Sequence, residues 1–209
     1  MASNFGKTIQ VATFGASHGY AIGGIVEGLP CGHTIDIDEL QAFLKRRAPG
    51  QNQLQTQRKE ADIPEFLSGM VDGMLSGSPL AFMIRNTSQH SGDYNNLRDI
   101  PRPSHADFTA RMRYGDKVDM RGGGHFSARL TAPLCVAGGI ALQLLREKGI
   151  EIHGHLKQVG TIQDTPIDMV HPDMKALREI ATEPIAMVDA DKRSEVENLV
   201  MKLKKDGDS

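Results

Sequence analysis

The chain of 209 residues contains no tryptophan and only two cysteines, and aromatic residues make up just 5% of it. Cys31 and Cys135 stand far apart, which speaks against a zinc cluster or a disulfide framework and makes a reduced, cytoplasmic compartment the expectation. Charge excess is missing as well. The 24 basic and 26 acidic residues leave a net charge of −2, which argues against a protein held to nucleic acid by bulk charge. No uninterrupted apolar run approaches membrane-spanning length, and Met1 to Lys7 is polar without an apolar h-region, so neither a membrane nor a signal peptide is expected. No internal repeat is visible. What is present suits a globular protein able to bury a substantial core: 39% apolar and 24% charged residues. The 22 glycines point to tight turns and close backbone approaches, not to an idealised helical bundle.

The glycines are densest in Arg121-Gly122-Gly123-Gly124-His125-Phe126-Ser127-Ala128-Arg129. Three consecutive glycines leave backbone N–H groups bare, and a helical apolar pattern follows at Leu134, Ile140, Ala141, Leu144 and Leu145, so a helix begins between Ser127 and Pro133. A helix N-terminus flanked by Arg121, Ser127 and Arg129 describes an anion site, most simply for phosphate. A glycine-rich turn before a buried helix explains the same residues without a ligand. The stretch matches neither G-x-x-x-x-G-K-[ST] nor G-x-G-x-x-G.

Elsewhere the patterns are simpler. Thr8 to Phe14 and Ala21 to Val26 read as strands around the turn Gly15-Ala16-Ser17-His18-Gly19. Asp36 to Arg47 reads as a helix with Asp36 as cap and Glu39 in a capping-box position. Its last-turn Arg46 and Arg47 complement the dipole and also project two guanidinium groups beside a Gly-Gln-Asn-Gln loop. Gln51 to Gln57 is expected to be polar and mobile. Phe66 to Val71 and Pro79 to Ile84 read as two strands joined through a Gly73/Gly77 turn. Asn86 to Asp107 shows little periodicity, a length that points to function or disorder. Gly149 is placed to end the central helix, Ile150 to Val159 alternates like a strand, Asp173 to Ile180 suits a short helix, and Ala190 to Lys205 is amphipathic.

Three features carry candidate chemistry: His18 in its glycine-bounded turn, His105 in Arg102-Pro103-Ser104-His105-Ala106-Asp107, and the glycine–arginine stretch. A turn histidine can act as an acid near neutral pH. Asp107 would either fix the tautomer of His105 or cap the segment that follows. His153 and His155 share a strand face, but without a third ligand nearby they read as surface residues.

Together these motifs resemble one family. Gly15 to Gly19, Arg46-Arg47-Ala48-Pro49-Gly50 through Thr56-Gln57-Arg58-Lys59-Glu60, Asn86-Thr87 with Asp93-Tyr94, Arg102 to Asp107, and Arg121 to Ala132 stand in the order and spacing of chorismate synthase. The resemblance covers essentially the whole chain and roughly the first three-fifths of the family's length. It departs from the family at Ala16 (usually Glu), Ser104 (usually Gly), His125-Phe126-Ser127 (often Arg-Ser-Ser) and Gln53 (commonly Arg). Lys204 to Ser209 is expected to stop without a helix cap, as a cut chain would.

The resemblance implies an α+β sandwich of antiparallel sheets flanked by helices, with residues 1–209 as the N-terminal portion of a single domain. It implies a homotetramer and a 1,4-elimination of phosphate from 5-enolpyruvylshikimate 3-phosphate that needs reduced FMN. It also assigns roles. His105 is the acid that helps phosphate leave, and His18 is the second histidine, near the flavin. Ser17, Arg47 and Arg129 bind the phosphorylated substrate. Gly124, His125, Phe126 and Ser127 contact FMN. No metal is implied. The alternative is a non-catalytic fragment that keeps the fold and some anion binding; on either view the 209 residues alone are expected to be inactive.

Overall fold

A computed structural model describes residues 3–48, 60–87 and 100–208. The Gln51 to Gln57 loop and the Asp93-Tyr94 pair lie outside the described residues. The chain forms two compact units, divided after Gly149.

The first unit is built on a five-stranded antiparallel sheet. In chain order its strands are β1 (Asn4–Gly6), β2 (Gln10–Gly15), β3 (Ala21–Glu27), β4 (Glu65–Ser68) and β7 (Leu80–Arg85), arranged β1-β2-β3-β7-β4. β2 and β3 form the expected hairpin, in the register Val11↔Val26 and Phe14↔Gly23. The alternation of β7 buries Leu80, Phe82 and Ile84 on one face. Against that face pack Leu40 and Leu44 of helix α1 (Ile37–Arg47) and Val136, Ile140 and Leu144 of helix α3 (Thr131–Arg146). The expected strand Phe66 to Val71 is split at Gly69 (φ 83°): its last two residues, β5 (Met70–Val71), leave the main sheet and pair with β6 (Met74–Leu75) in a small hairpin.

The capping box on α1 is half realised. Asp36 accepts from Glu39 N–H at 2.9 Å, but Glu39 reaches Arg146 instead of returning to the cap. The cap backbone is satisfied by Gln143 on α3, which accepts from Asp36 N–H and donates to Asp36 O, both at 2.9 Å. A buried amide thus clamps one helix start to the side of another. The segment 121–146 has the length and hydropathy of a membrane span; only its last 16 residues are α-helical, and they supply much of this core.

The structure adds one helix that periodicity does not signal. Residues 107–114 fold as α2 (Asp107–Tyr114), which buries little beyond Asp107 and Ala110 and leaves Phe108 and Met112 exposed. With so narrow a buried stripe and no side-chain cap, its sequence lacks the usual helical signature.

The second unit holds a short hairpin, β8 (Gln158–Val159) with β9 (Ile162–Gln163), and helices α4 (Met174–Ile180) and α5 (Ala190–Asp206). Ile185, Met187 and Val196 form its core. The expected strand over Ile150 to Val159 is limited to its last two residues. Alternation alone does not make a strand when no neighbour completes the ladder. Here Leu156 N–H bonds singly to Ala186 O, His153 pairs with Glu151 at 2.9 Å, and His155 sits 3.8 Å from Asp164. The two histidines are partly buried beside carboxylates, not free surface groups. The expected uncapped end is also corrected: Gly207 adopts the left-handed conformation (φ 70°) and its N–H caps α5.

Candidate functional site

The Ser17–His18 turn and the glycine stretch are one packed structure. Ser17 and His18 are buried. Ser17 N–H donates to Gly124 O at 3.0 Å, and its hydroxyl proton is shared between Gly122 O (2.9 Å) and Arg121 O (3.1 Å). The contact depends on glycine. A Cβ on Gly122 would lie 2.3 and 2.4 Å from Cδ2 and Nε2 of His18, and one on Gly124 (φ 55°) would lie 1.9 Å from Asp119 O. The triple glycine therefore first serves to bring bare backbone onto an imidazole.

The flanking residues are committed in part to this packing. His125 Nδ1 lies 2.7 Å from Gly15 O, which only accepts, so Nδ1 carries the proton and Nε2 accepts from Ser3 Oγ at 2.7 Å. Ser127 Oγ accepts from Arg129 N–H at 3.2 Å and caps the 3₁₀ turn Ala128–Leu130 that leads into α3. Phe126 is 40% exposed, with Tyr114 at 6.4 Å between ring centroids. Arg121 is held on Asp119 by bonds of 2.9 and 2.7 Å. That pairing keeps the Asp119 carboxyl below its ordinary pKa, with a smaller contribution from His18.

Arg47 and Arg129, 82 positions apart, meet on one carboxylate. Arg47 donates Nη2 and Nε to Asp62 Oδ2 at 2.6 and 3.2 Å, while Arg129 Nη1 donates to Asp62 Oδ1. Arg129 Nε donates to Asn86 Oδ1 at 3.1 Å, and Asn86 Nδ2 donates to Ala16 O (3.1 Å) and Gly19 O (2.8 Å), the two sides of the Ser17–His18 turn. Glu60 accepts from Thr87 N–H and Oγ at 3.1 and 2.8 Å and stands 3.9 Å from Arg129 Nη2. The Asp62 and Glu60 side chains are 0% and 1% exposed. Two guanidinium groups thus face two buried carboxylates. Among the described residues, Arg129 Nη2, also buried, makes no hydrogen bond. An unsatisfied buried donor costs about 1–3 kcal/mol, and the Glu60 carboxylate at 3.9 Å offsets part of that cost by its charge.

His105 is exposed and donates Nδ1–H to Pro103 O at 2.9 Å, so Nε2 is its exchangeable nitrogen. Asp107 does not serve it directly: Arg102 forks onto both Asp107 oxygens at 2.8 and 2.9 Å and holds the carboxyl below its ordinary pKa. Arg102 also donates to Met120 O at 3.4 Å. A chain of contacts therefore runs from the His105 loop through Arg102 and Met120 to the glycine stretch that covers His18.

Sequence reasoning singled out the histidines, both arginines and the glycines, but not Asp62, Asn86 or Asp119. Asn86 and Glu60 stood inside matched motifs without a role. Nothing in their spacing shows that they close on Arg129.

The first unit thus places a buried arginine–carboxylate cluster next to a glycine-packed histidine within an α+β fold. The comparisons with known proteins agree on one family. The family model for chorismate synthase matches residues 9–209. A chorismate synthase of Lancefieldella parvula is 46% identical over 182 residues, covering 87% of this chain and 48% of the relative. One of Bacteroides thetaiotaomicron is 44% identical over 209 residues, covering 100% of this chain and 57% of the relative. A solved structure titled "Crystal Structure of Chorismate Synthase" matches with a TM-score of 0.67 at 23% identity, over 96% of this chain and 54% of that one; it supports the fold. The chain belongs to the chorismate synthase family, and it spans about half the length of the curated relatives it matches.

Proposed function

We propose that these residues form the phosphate-handling part of a chorismate synthase, a lyase of aromatic amino acid biosynthesis that eliminates phosphate from 5-enolpyruvylshikimate 3-phosphate. The observation that carries the proposal is Arg129 Nη2, buried and without a hydrogen bond among the described residues, beside Arg47. In this elimination the C3–O bond to phosphate breaks, a proton leaves C6 and a C=C bond forms. Charge develops on the departing phosphate, and a charge-assisted donor in a water-poor site stabilises it most. His105 Nε2 can hand a proton to the phosphate oxygen, because Nδ1–H is spent on Pro103 O. Ser17 and His18 would orient the substrate from the glycine-covered turn.

The exposed Phe126 ring, beside bare glycine backbone, fits the flat face of a planar cofactor. Gly124, His125, Phe126 and Ser127 would hold reduced FMN, with Gly124 and His125 acting chiefly by shaping the backbone. When bound, the flavin lends electron density to the substrate and takes it back.

A homotetramer and a cytoplasmic location belong to the same proposal. The second reading, a non-catalytic piece, rests on the coverage of 48% and 57% of the relatives. By resemblance, the later part of the family carries flavin contacts and an aspartate for the C6 proton. The two readings separate in one experiment: anaerobic phosphate release with dithionite-reduced FMN, by the 209-residue chain and by a fusion carrying the remaining segment of the Bacteroides thetaiotaomicron relative. We expect at most a trace from the chain and turnover from the fusion, lowered about 10²–10⁴-fold by His105→Ala. Robust release by the chain alone would overturn its expected inactivity. A folded fusion that binds the substrate but releases no phosphate would overturn the proposed activity.

A further inference from the structure

Two corners of the Arg129 guanidinium are hydrogen-bonded, while the third, Nη2, faces the Glu60 carboxylate at 3.9 Å without a hydrogen bond among the described residues. Nε donates to Asn86 Oδ1 at 3.1 Å, and Nη1 donates to Asp62. Acceptors at Nε and Nη1 together fix both the plane of the group and its rotation about the side-chain axis. Asn86 is itself held from three directions. Its backbone N–H donates to Tyr20 O at 3.1 Å, and its amide Nδ2 donates to Ala16 O and Gly19 O. One amide side chain therefore joins the turn that carries Ser17 and His18 to the arginine that carries Nη2.

We propose that Asn86 is a positioning residue for the phosphate-bearing ligand: its amide oxygen aims Arg129 Nη2 at a phosphate oxygen, and its amide nitrogen holds the Ser17–His18 turn in the same frame. The inference rests on the phosphate-elimination reading above. The position requires an amide. It needs one acceptor and two donors on a single short planar group. Aspartate supplies the acceptor without the donors, serine has a single donor, and alanine supplies nothing. Asp62 cannot substitute for it, since Oδ2 of Asp62 is taken by Arg47 and Oδ1 by Nη1 of Arg129.

The test uses the chain with inorganic phosphate as probe, the ¹⁵N-labelled Arg129 Nε–H signal as reporter (assigned by its loss in Arg129→Lys), and two variants. In the wild type we expect the Nε–H signal to be protected from exchange and to shift on adding phosphate. Asn86→Ala should lose that protection and weaken phosphate binding about tenfold or more. Asn86→Asp keeps the acceptor for Nε, so the protected signal should stay, while its added negative charge on Arg129 should weaken phosphate binding. Its His18 ring signals should broaden, because both bonds to the turn are gone. A wild-type Arg129 signal that ignores phosphate would overturn the proposal whether or not Asn86→Ala folds. So would a folded Asn86→Ala with unchanged phosphate affinity, or an Asn86→Asp whose Arg129 Nε–H signal is as unprotected as in Asn86→Ala. Phosphate binding that follows this pattern in a fusion without turnover would count against the proposed activity alone.

Discussion

At the scale of single residues, the site is set by atoms that are missing as much as by atoms that are present. Gly122 lacks the Cβ that would strike His18, and it holds φ 58°, a conformation that L side chains rarely adopt. Gly122→Ala must therefore push the imidazole away and strain the backbone. Left-handed strain at one non-glycine residue costs about 1–3 kcal/mol, and the displacement adds to it. We expect thermal unfolding to begin several degrees lower and the His18 ring signals in NMR spectra to move. An unchanged melting temperature with unmoved ring signals would mean that the loop does not rest on the histidine. Asp62 shows the opposite case, a residue at φ 50° that keeps a strained backbone in order to place a carboxylate between two guanidinium groups.

At the scale of elements, the start of α2 is held by an ion pair and not by a capping side chain of its neighbour. Ala106 offers no cap, and Arg102 binds Asp107 through its guanidinium and its backbone N–H. Asp107 has its pKa lowered on folding, chiefly by Arg102. A carboxyl with a depressed folded pKa stabilises above its unfolded value, about 3.9, and that contribution fades as pH falls through the folded pKa. Wild type and Asp107→Asn should therefore differ in melting temperature at pH 7 and converge as pH drops below about 4. A gap that persists at low pH would assign the stabilisation to something other than the ionised pair. The latch matters for the site because Arg102 also reaches Met120 O at the edge of the glycine stretch. Loosening α2 should thus loosen the cover of His18.

At the scale of the whole molecule, the two compact units differ in how much they bury. The first holds a continuous core from Val11 through Phe82 to Leu144, and the second has a small apolar cluster of Ile185, Met187 and Val196. Leu44 is fully buried where α1 meets the sheet. Leu44→Ala should cost about 2–5 kcal/mol and speed amide exchange in β2, β3 and β7, which share that core. A loss under about 1 kcal/mol would mean that the site around it collapses without a cavity. This core is what fixes the β2–β3 hairpin, whose connecting turn carries Ser17 and His18.

Much of this molecule was decided by its local sequence. The alternation of β2, β3 and β7, the Asp36, Asp173 and Asp189 caps, the left-handed Gly149 and the helix after the triple glycine all follow from spacing and from single-residue chemistry within a few positions. The motifs also singled out His18, His105, Arg47 and Arg129, because they are chemically conspicuous. Tertiary structure alone decided how they are wired. Asp62 bridges arginines 15 residues before it and 67 after it, and Asn86 joins a turn nearly 70 residues upstream to Arg129, 43 residues downstream. No local rule reports such closures, since the energy that makes them comes from burying Phe82, Leu44 and Ile140 in one core. The same reason explains the strand that alternation suggested over Ile150 to Val159 and that folding confined to two residues: a strand needs a neighbour, and only the folded chain supplies one.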